Sequence, residues 1–555
     1  MIYNHNSNNI NHSSMYRRTT SMNRSRLVFT IVMFILAFFV ISLRLIDVTI
    51  FKYISIKNDS NNQSKIIRRA DILDRNGTLL ATSLPLVSLY ANPHQIDDKT
   101  KVAQKIKHIL KDININKLLE KLKEDKSFVY LHRNLLPHQE YEINALGIPG
   151  LYFENAEKRI YPQNELVSHV IGLTDIDNKG IAGIEKTFEN KLNSCRDPLH
   201  LSLDIRVQTI LRNELIKTIS EFHAIGAIGI VMDVHTGELL GMVSLPDFNP
   251  NNLTLATSDA MFNRASLGDY EMGSTFKIFN IAATLDAGTS TLTSKYDVTN
   301  KLKIAGFEIS DYKQKNHPLT VPEILKFSSN IGSARMAIDL GIEKQIAFMS
   351  KIGMMRQTDI ELSEVSSPLI PNPWRLINSM TISYGHGIAV SPLHVVTGIS
   401  TLVNGGLLHP ATLLKHEHNQ SIKSQRVIKS ETSKIMRDLI RMVVLEGTGR
   451  NASVLGYDVG GKTGTAEKVG IGGYHHKSLL TSFIAAFPMS DPKYAILAMI
   501  DEPKGNKESY GFATAGWTAA PAVGRIISQI GPLLGLIPSK MESFNTKETF
   551  HLQQN

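Results

Sequence analysis

Hydrophobic and polar positions alternate differently along successive stretches of the chain, and each pattern predicts its own element. Leu27 to Leu43 is an uncharged run rich in Phe, Ile, Val and Leu, and after Arg44 the apolar character resumes at Leu45 and Ile46. Such a run lies at the short end of a bilayer-spanning helix, and a snorkelling Arg44 lets that helix continue to 48. Polar residues 55–65 then read as a linker. From Ile66 to Tyr90 the period shortens to two, with Asp74-Arg75-Asn76-Gly77 placed as the turn of a β-hairpin. Lys99 to Lys126 returns to apolar residues at intervals of three and four, the mark of surface helices.

Beyond residue 198 the pattern becomes that of a layered domain. Leu199 to Asp204 reads as a strand leading into an amphipathic helix, and Ala224–Asp233 with Glu238–Ser244 forms a hairpin about His235-Thr236-Gly237. Ser482–Phe487 and Tyr494–Ile500 make a second strand pair, followed by a helix over Pro521–Ile530. Strands from both ends of this region are expected to share one antiparallel sheet, with the helical middle packed on it. The resulting fold class is mixed α+β. Its divisions are a basic tail over 1–26, a transmembrane helix over 27–48, a linker and smaller external domain over 49–200, a main domain over 201–530, and a tail over 531–555.

Charge fixes the orientation. Of 60 basic and 51 acidic residues, Arg17, Arg18, Arg24, Arg26 and Arg44 fall in the first 46 positions, which contain no Asp or Glu. Arginines flanking the N-terminal side of a span place that side in the cytoplasm, where residues 1–23 read as a disordered tail, and everything after 48 outside. No small-x-small cleavage site follows, so the segment is read as a retained anchor. The remaining chain is nearly balanced in charge, which excludes a nucleic-acid binder. The single cysteine, Cys195, cannot form an internal disulfide and is read as structural. His416-Glu417-His418 and His475-His476 lack the spacing of metal ligands on a helix, and no metal or cofactor is expected. Arg69, Arg159 and Glu185 are read as ion pairs holding the smaller domain together.

Candidate chemistry lies in the main domain. Ser274 and Lys277 are three residues apart, so a helix beginning at Ser274 brings the amine to the hydroxyl, and Gly273 permits a tight entry. The same spacing recurs at Ser310–Lys313 and Ser490–Lys493. Only Ser274 is followed by Ser328-Ser329-Asn330 and then by Lys462-Thr463-Gly464-Thr465. Brought to one cleft, these residues describe acyl transfer. Lys277, deprived of its proton by partial burial and by the charge of Lys462, serves as base for Ser274. Ser328 relays a proton to the leaving amine, while Asn330 fixes Lys277 and meets a substrate amide. Lys462, helped by Thr463 or Thr465, attracts a substrate carboxylate. Gly464 leaves room for an extended peptide, and the N–H groups of Ser274 and Thr465 form an oxyanion hole.

Ser-x-x-Lys, Ser-x-Asn and Lys-Thr-Gly-Thr in this order resemble the active-site set of penicillin-binding proteins and serine β-lactamases. The wider pattern, including Arg69 to Gly77, Arg159-Ile-Tyr-Pro162, Gly180 to Lys186, Asp233 to Glu238 and Ser383 to Leu393, is similar to the class B penicillin-binding proteins, and among them most to the division-septum transpeptidases. The resemblance implies a single-pass inner-membrane protein with an elongated, mostly-β pedestal over 49–200 and a periplasmic transpeptidase domain. It implies peptidoglycan stem peptides ending in D-Ala-D-Ala as donors, an amine acceptor, and β-lactams as covalent inhibitors of Ser274. A polytopic glycosyltransferase and other division proteins are the implied partners. An elongation-type transpeptidase is the nearest alternative. A β-lactamase fits less well, since the Glu-x-x-Leu-Asn segment of one class is absent, and a β-lactam sensor or inactive scaffold fits less well with the intact motifs.

Overall fold

The computed structural model describes residues 13–46, 68–304, 306–417, 421–470 and 473–539. The chain divides into two units, Met1–Ile67 and Arg68–Asn555. In the first, α1 spans Ser13–Ile46, a stretch free of proline and glycine. The helix therefore starts well before residue 27, because nothing in the arginine-rich segment breaks it. Among the described residues no helix is long and apolar enough to cross a membrane. The expected linker and all residues after Ser539 lie outside the described residues, as do His418 and the side chains of His475 and His476.

In the second unit, β1 (Ile72–Leu73) and β2 (Leu79–Ala91) form the hairpin expected at Asp74–Gly77. Asp74 explains the turn: its buried carboxylate accepts from the backbone N–H groups of Asn76 (2.8 Å) and Thr78 (2.7 Å). Its other oxygen accepts from Ile205 N (3.2 Å), tying the hairpin to the main domain. Next come α2 (Lys99–Ile109), α3 (Ile115–Lys123), β3 (Val129–Leu135), α4 (Pro137–Ala145), β4 (Leu151–Ile160) and β5 (Leu199–His200). The two longer strands β3 and β4 flank β2, and β1 joins β5. This domain is mixed rather than mostly β. The inward face of β2, with Leu89 and Ala91, needs an apolar cover, and Ile106, Leu118, Leu122 and Ile143 from the three helices supply it. Behind the sheet, Glu185 accepts from Arg69 Nε and Arg159 Nε, each at 2.6 Å, and all three side chains are buried.

The main domain opens with α5 (Ile205–Phe222), capped by Asp204, whose carboxylate accepts from Arg206 N (3.0 Å). Then follow β6 (Gly226–Asp233), β7 (Leu239–Leu245), α6 (Lys277–Asp286), α7 (Val321–Phe327), α8 (Asn330–Leu340), α9 (Pro392–Val403), α10 (Ser430–Glu446), β8 (Gly460–Gly470), β9 (Gly473–Phe487), β10 (Tyr494–Asp501) and α11 (Ala519–Leu533). The sheet runs β8-β9-β10-β6-β7, all antiparallel, so strands from the two ends of the domain do meet, at Tyr494 opposite Asp233. Ala227, Val231, Phe483 and Ile496 face α5 and α11, whereas Ile228, Ile230, Ile484 and Leu497 face the layer containing α9. Burial on both faces is why these strands read as continuous apolar runs instead of alternating ones. Edge strand β8, carrying Lys462 to Thr465, faces the start of α6.

Candidate active site

The nucleophile turn is tighter than a plain helix start. Gly273–Phe276 is a 3-10 turn, and α6 begins only at Lys277. In 3-10 geometry side chains three apart eclipse, which sets Lys277 Nζ 2.7 Å from Ser274 Oγ. Gly273 has φ +53, and a Cβ there would sit 2.8 Å from the Thr465 carbonyl oxygen. Glycine is required both for the left-handed backbone and for contact with the edge strand. Gly273 N donates to Gly385 O at 3.2 Å, anchoring the turn from the other side.

Ser328 ends α7. That helix is fixed at its start by a capping box in which Glu323 accepts from Thr320 N and Oγ1, both at 2.8 Å. At its end Ser328 adopts φ 60, ψ 43, a left-handed conformation that costs a non-glycine residue on the order of 1 kcal/mol or more. The turn puts its hydroxyl between two amines, 3.2 Å from Lys277 Nζ and 3.0 Å from Lys462 Nζ. Two residues on, Asn330 Oδ1 accepts from Lys277 Nζ at 2.7 Å.

Lys462 reaches the same point from β8, with Nζ also 3.0 Å from the Thr463 carbonyl and 3.3 Å from Thr463 Oγ1. The Thr463 hydroxyl is nearly buried and lies 2.7 Å from Thr448 Oγ1; Thr465 is more open, and its hydroxyl accepts from Ala515 N at 3.3 Å. Gly464 also has a packing role: a Cβ at this position would lie 2.5 Å from Ser482 Oγ, 2.6 Å from Met272 O and 2.8 Å from Thr275 Cγ2, so the missing side chain makes room for the nucleophile turn.

Both lysines are completely buried, beyond the partial burial expected. Burial holds the Lys277 ammonium well below the usual lysine range, the nearby Lys462 adds repulsion, and Asp311 opposes both. Burial also brings Lys462 down, from 10.5 to about 7. The Tyr384 ring stands 6.0 Å from Lys277 Nζ, and burial with the neighbouring Glu271 pushes its phenol up to about 12, keeping it protonated. The arrangement offers an amine whose charged form burial disfavours against a serine hydroxyl, a second hydroxyl between the two amines, and a titratable amine beyond it.

Residues 227–524 match the family described as the penicillin binding protein transpeptidase domain, and residues 66–197 match the penicillin-binding protein dimerisation domain. The chain is 38% identical, over 84% of its length and 82% of the relative's, to "Probable peptidoglycan D,D-transpeptidase FtsI" of Caulobacter vibrioides. The chain belongs to the class B penicillin-binding proteins. Its likeness extends to "Stage V sporulation protein D" of Bacillus subtilis, 31% identical over 93% of this chain and 87% of that one. A solved peptidoglycan synthetase from Bifidobacterium adolescentis shares the fold, with TM-score 0.69 and 23% identity over 86% of this chain and 97% of the other.

Within this class B penicillin-binding protein, the other two Ser-x-x-Lys matches separate by position. Ser490 N donates to Asp458 (2.7 Å) and Lys493 pairs with Asp491, away from the lysine cluster. Ser310 is near the site, but through its carbonyl, which accepts from Asn330 Nδ2 at 3.1 Å. Its neighbour Asp311 is a residue that sequence reasoning missed. Asp311 accepts from Asn330 N (2.6 Å), Ile331 N (3.0 Å) and Ser329 Oγ (2.6 Å), capping α8 from outside and pinning the Ser-Ser-Asn turn. Asn280, one turn beyond Lys277, was missed as well: its buried amide donates to the carbonyl and hydroxyl of Ser333 (both 3.1 Å), joining α6 to α8. Neither carries a local signal, because an isolated Asp after a strand or an Asn within a helix has many uses.

Proposed function

We propose that this chain is a membrane-anchored peptidoglycan D,D-transpeptidase that cross-links stem peptides through an acyl-Ser274 intermediate during septum formation. The observation that carries this reading is the contact of buried Lys277 Nζ with both Ser274 Oγ and Asn330 Oδ1, each at 2.7 Å. Ser274 Oγ attacks the carbonyl of the penultimate D-Ala while its proton passes to neutral Lys277. The developing oxyanion is met by the N–H groups of Ser274 and Thr465; the close approach of the Thr465 backbone to Gly273 supports that pairing. As the C–N bond breaks, the proton moves through Ser328 to the departing amine of the terminal D-Ala. Lys462, with Thr465, holds the terminal carboxylate of the donor, and Thr463 assists through Lys462. An acceptor amine then attacks the ester carbonyl, gives up its proton to Lys277, and Ser274 is released with its hydroxyl restored.

Residues 49–200 serve as the pedestal and 201–530 as the transpeptidase domain. The membrane anchor is supported by the uncharged run Leu27–Leu43 within the continuous helix Ser13–Ile46, whose described apolar side chains, among them Phe34 and Phe38, are exposed rather than packed in a core. The likeness to FtsI supports the septal role; a periplasmic body and a polytopic glycosyltransferase partner belong to the same reading.

Fluorescent penicillin tests the chemistry. It is expected to label the full-length protein covalently, with Ser274→Ala folded but unlabelled; labelling that persists in this variant removes Ser274 as the nucleophile. Rapid release of hydrolysed drug instead points to a β-lactamase. Depletion of the protein from cells separates the roles, with filaments expected for septal synthesis and round cells for elongation.

A further inference from the structure

The loop between Ser310 and His317 carries positive charge to the edge of the catalytic turn. Lys315 Nζ lies 3.8 Å from the centroid of the Phe327 ring, and Lys326 Nζ lies 5.5 Å from the same ring. Phe327 is 41% exposed, so its ring face is open to the ammonium, and it directly precedes Ser328. An ammonium over an aromatic face is held in place without being neutralised.

Counting the nearby charges isolates Lys315. Lys326 has an acid, Glu446, at 2.6 Å. Asp311 lies in the same loop, but Ser329 Oγ occupies one of its oxygens and the N–H groups of Asn330 and Ile331 the other. Lys313 adds a further exposed cation, and Glu323 caps Thr320 at the far end of α7. Among the described residues Lys315 forms no ion pair. A prepositioned cation lacking a protein counter-ion therefore stands on a loop that Asp311 fastens to Asn330, the residue assigned to the substrate amide.

We propose that Lys315, presented on Phe327, binds a carboxylate of the donor stem peptide upstream of its D-Ala-D-Ala pair, and so selects acidic over amidated stems. This deepens the transpeptidase reading and rests on it. Phe327 sets the position of the ammonium, while the terminal carboxylate remains with Lys462 and Thr465.

The test uses the full-length protein in detergent and two synthetic peptides ending in D-Ala-D-Ala, identical except for a free carboxylate or a carboxamide on the residue before that pair. The wild type is expected to consume the acidic peptide with a kcat/KM about threefold to tenfold higher, the difference lying in KM and shrinking as salt is added. Lys315→Met is expected to abolish this preference while leaving the rate with the amide peptide unchanged; Lys315→Arg retains the preference. Phe327→Leu, which keeps the charge but removes its cradle, is expected to give an intermediate preference. A preference untouched by Lys315→Met, an equal loss on both peptides, or the absence of any preference in the wild type each overturns the proposal alone. Failure of both peptides to acylate Ser274 in protein that still reacts with fluorescent penicillin overturns the stem-peptide reading as well.

Discussion

Two buried clusters of charge among the described residues are built on opposite rules. In the pedestal, Glu185 stands between Arg69 and Arg159 with both contacts at 2.6 Å, and Arg69 also reaches Glu189 at 2.7 Å. In the transpeptidase domain, Lys277 and Lys462 share Ser328, and their other short contacts are with neutral hydroxyl and amide oxygens. Opposite charges compensate one another and leave a rigid joint. Lysines buried without a directly paired carboxylate are driven toward neutrality, first by the loss of water and, at Lys277, further by the charge of Lys462. The same burial thus has opposite consequences according to whether an opposite charge is buried in direct contact.

Four substitutions or conditions break or sharpen this contrast. The largest effect is expected for Lys277→Met, which removes the proposed base and should lower the rate of Ser274 acylation roughly 10³-fold while protein stability is kept or raised. Stopped-flow acylation with a chromogenic β-lactam measures the first, and thermal unfolding the second. Glu185→Gln should behave in the reverse manner. Two buried guanidinium groups lose their shared anion, at a cost of about 3–5 kcal/mol in denaturant unfolding, while acylation of the remaining folded protein is unchanged. Asp311→Asn keeps the shape of the cap but weakens three hydrogen bonds that position Ser329 and Asn330. A five- to tenfold slower acylation, with little change in unfolding midpoint, is expected from about 1 kcal/mol of lost positioning.

The smallest effect concerns pH. Acylation by an anionic β-lactam should rise as Lys277 loses its proton and fall as Lys462 loses its own, with the alkaline limb of kcat/KM near pH 7 in the free enzyme. An alkaline limb near the ordinary lysine value would mean that Lys462 is not desolvated as the fold implies. The same shift acts on stability. Since the folded value lies below the unfolded one, the cost of burying Lys462 is greatest below pH 7 and disappears as pH rises toward 10.5, so stability should increase across that interval.

Much of this architecture can be read in one dimension. Continuous apolar runs such as Gly226–Asp233 and Tyr494–Asp501 announced strands covered on both faces, and Asp74 to Gly77 announced a hairpin. The helical content of the smaller domain was legible in part. The periodic stretch Lys99 to Lys126 holds the helices Lys99–Ile109 and Ile115–Lys123, whereas Pro137–Ala145 was not announced, and the inward faces of all three gain meaning only against the face of β2. Gly464 shows a different limit: its position in Lys-Thr-Gly-Thr suggested space for substrate, and the fold adds a packing reason that no local pattern carries, since a Cβ there would meet Ser482, Met272 and Thr275.

What the sequence determined by itself was the set of local elements and the order of the three motifs, because periodicity and turn chemistry act between residues a few positions apart. Tertiary structure decided which serine meets which amine. Ser328 comes to Lys277 across 51 positions and to Lys462 across 134, and Asp311 closes on Asn330 across 19. The altered acidity of the two lysines also belongs to the fold, since it arises from excluded water and from a neighbouring charge.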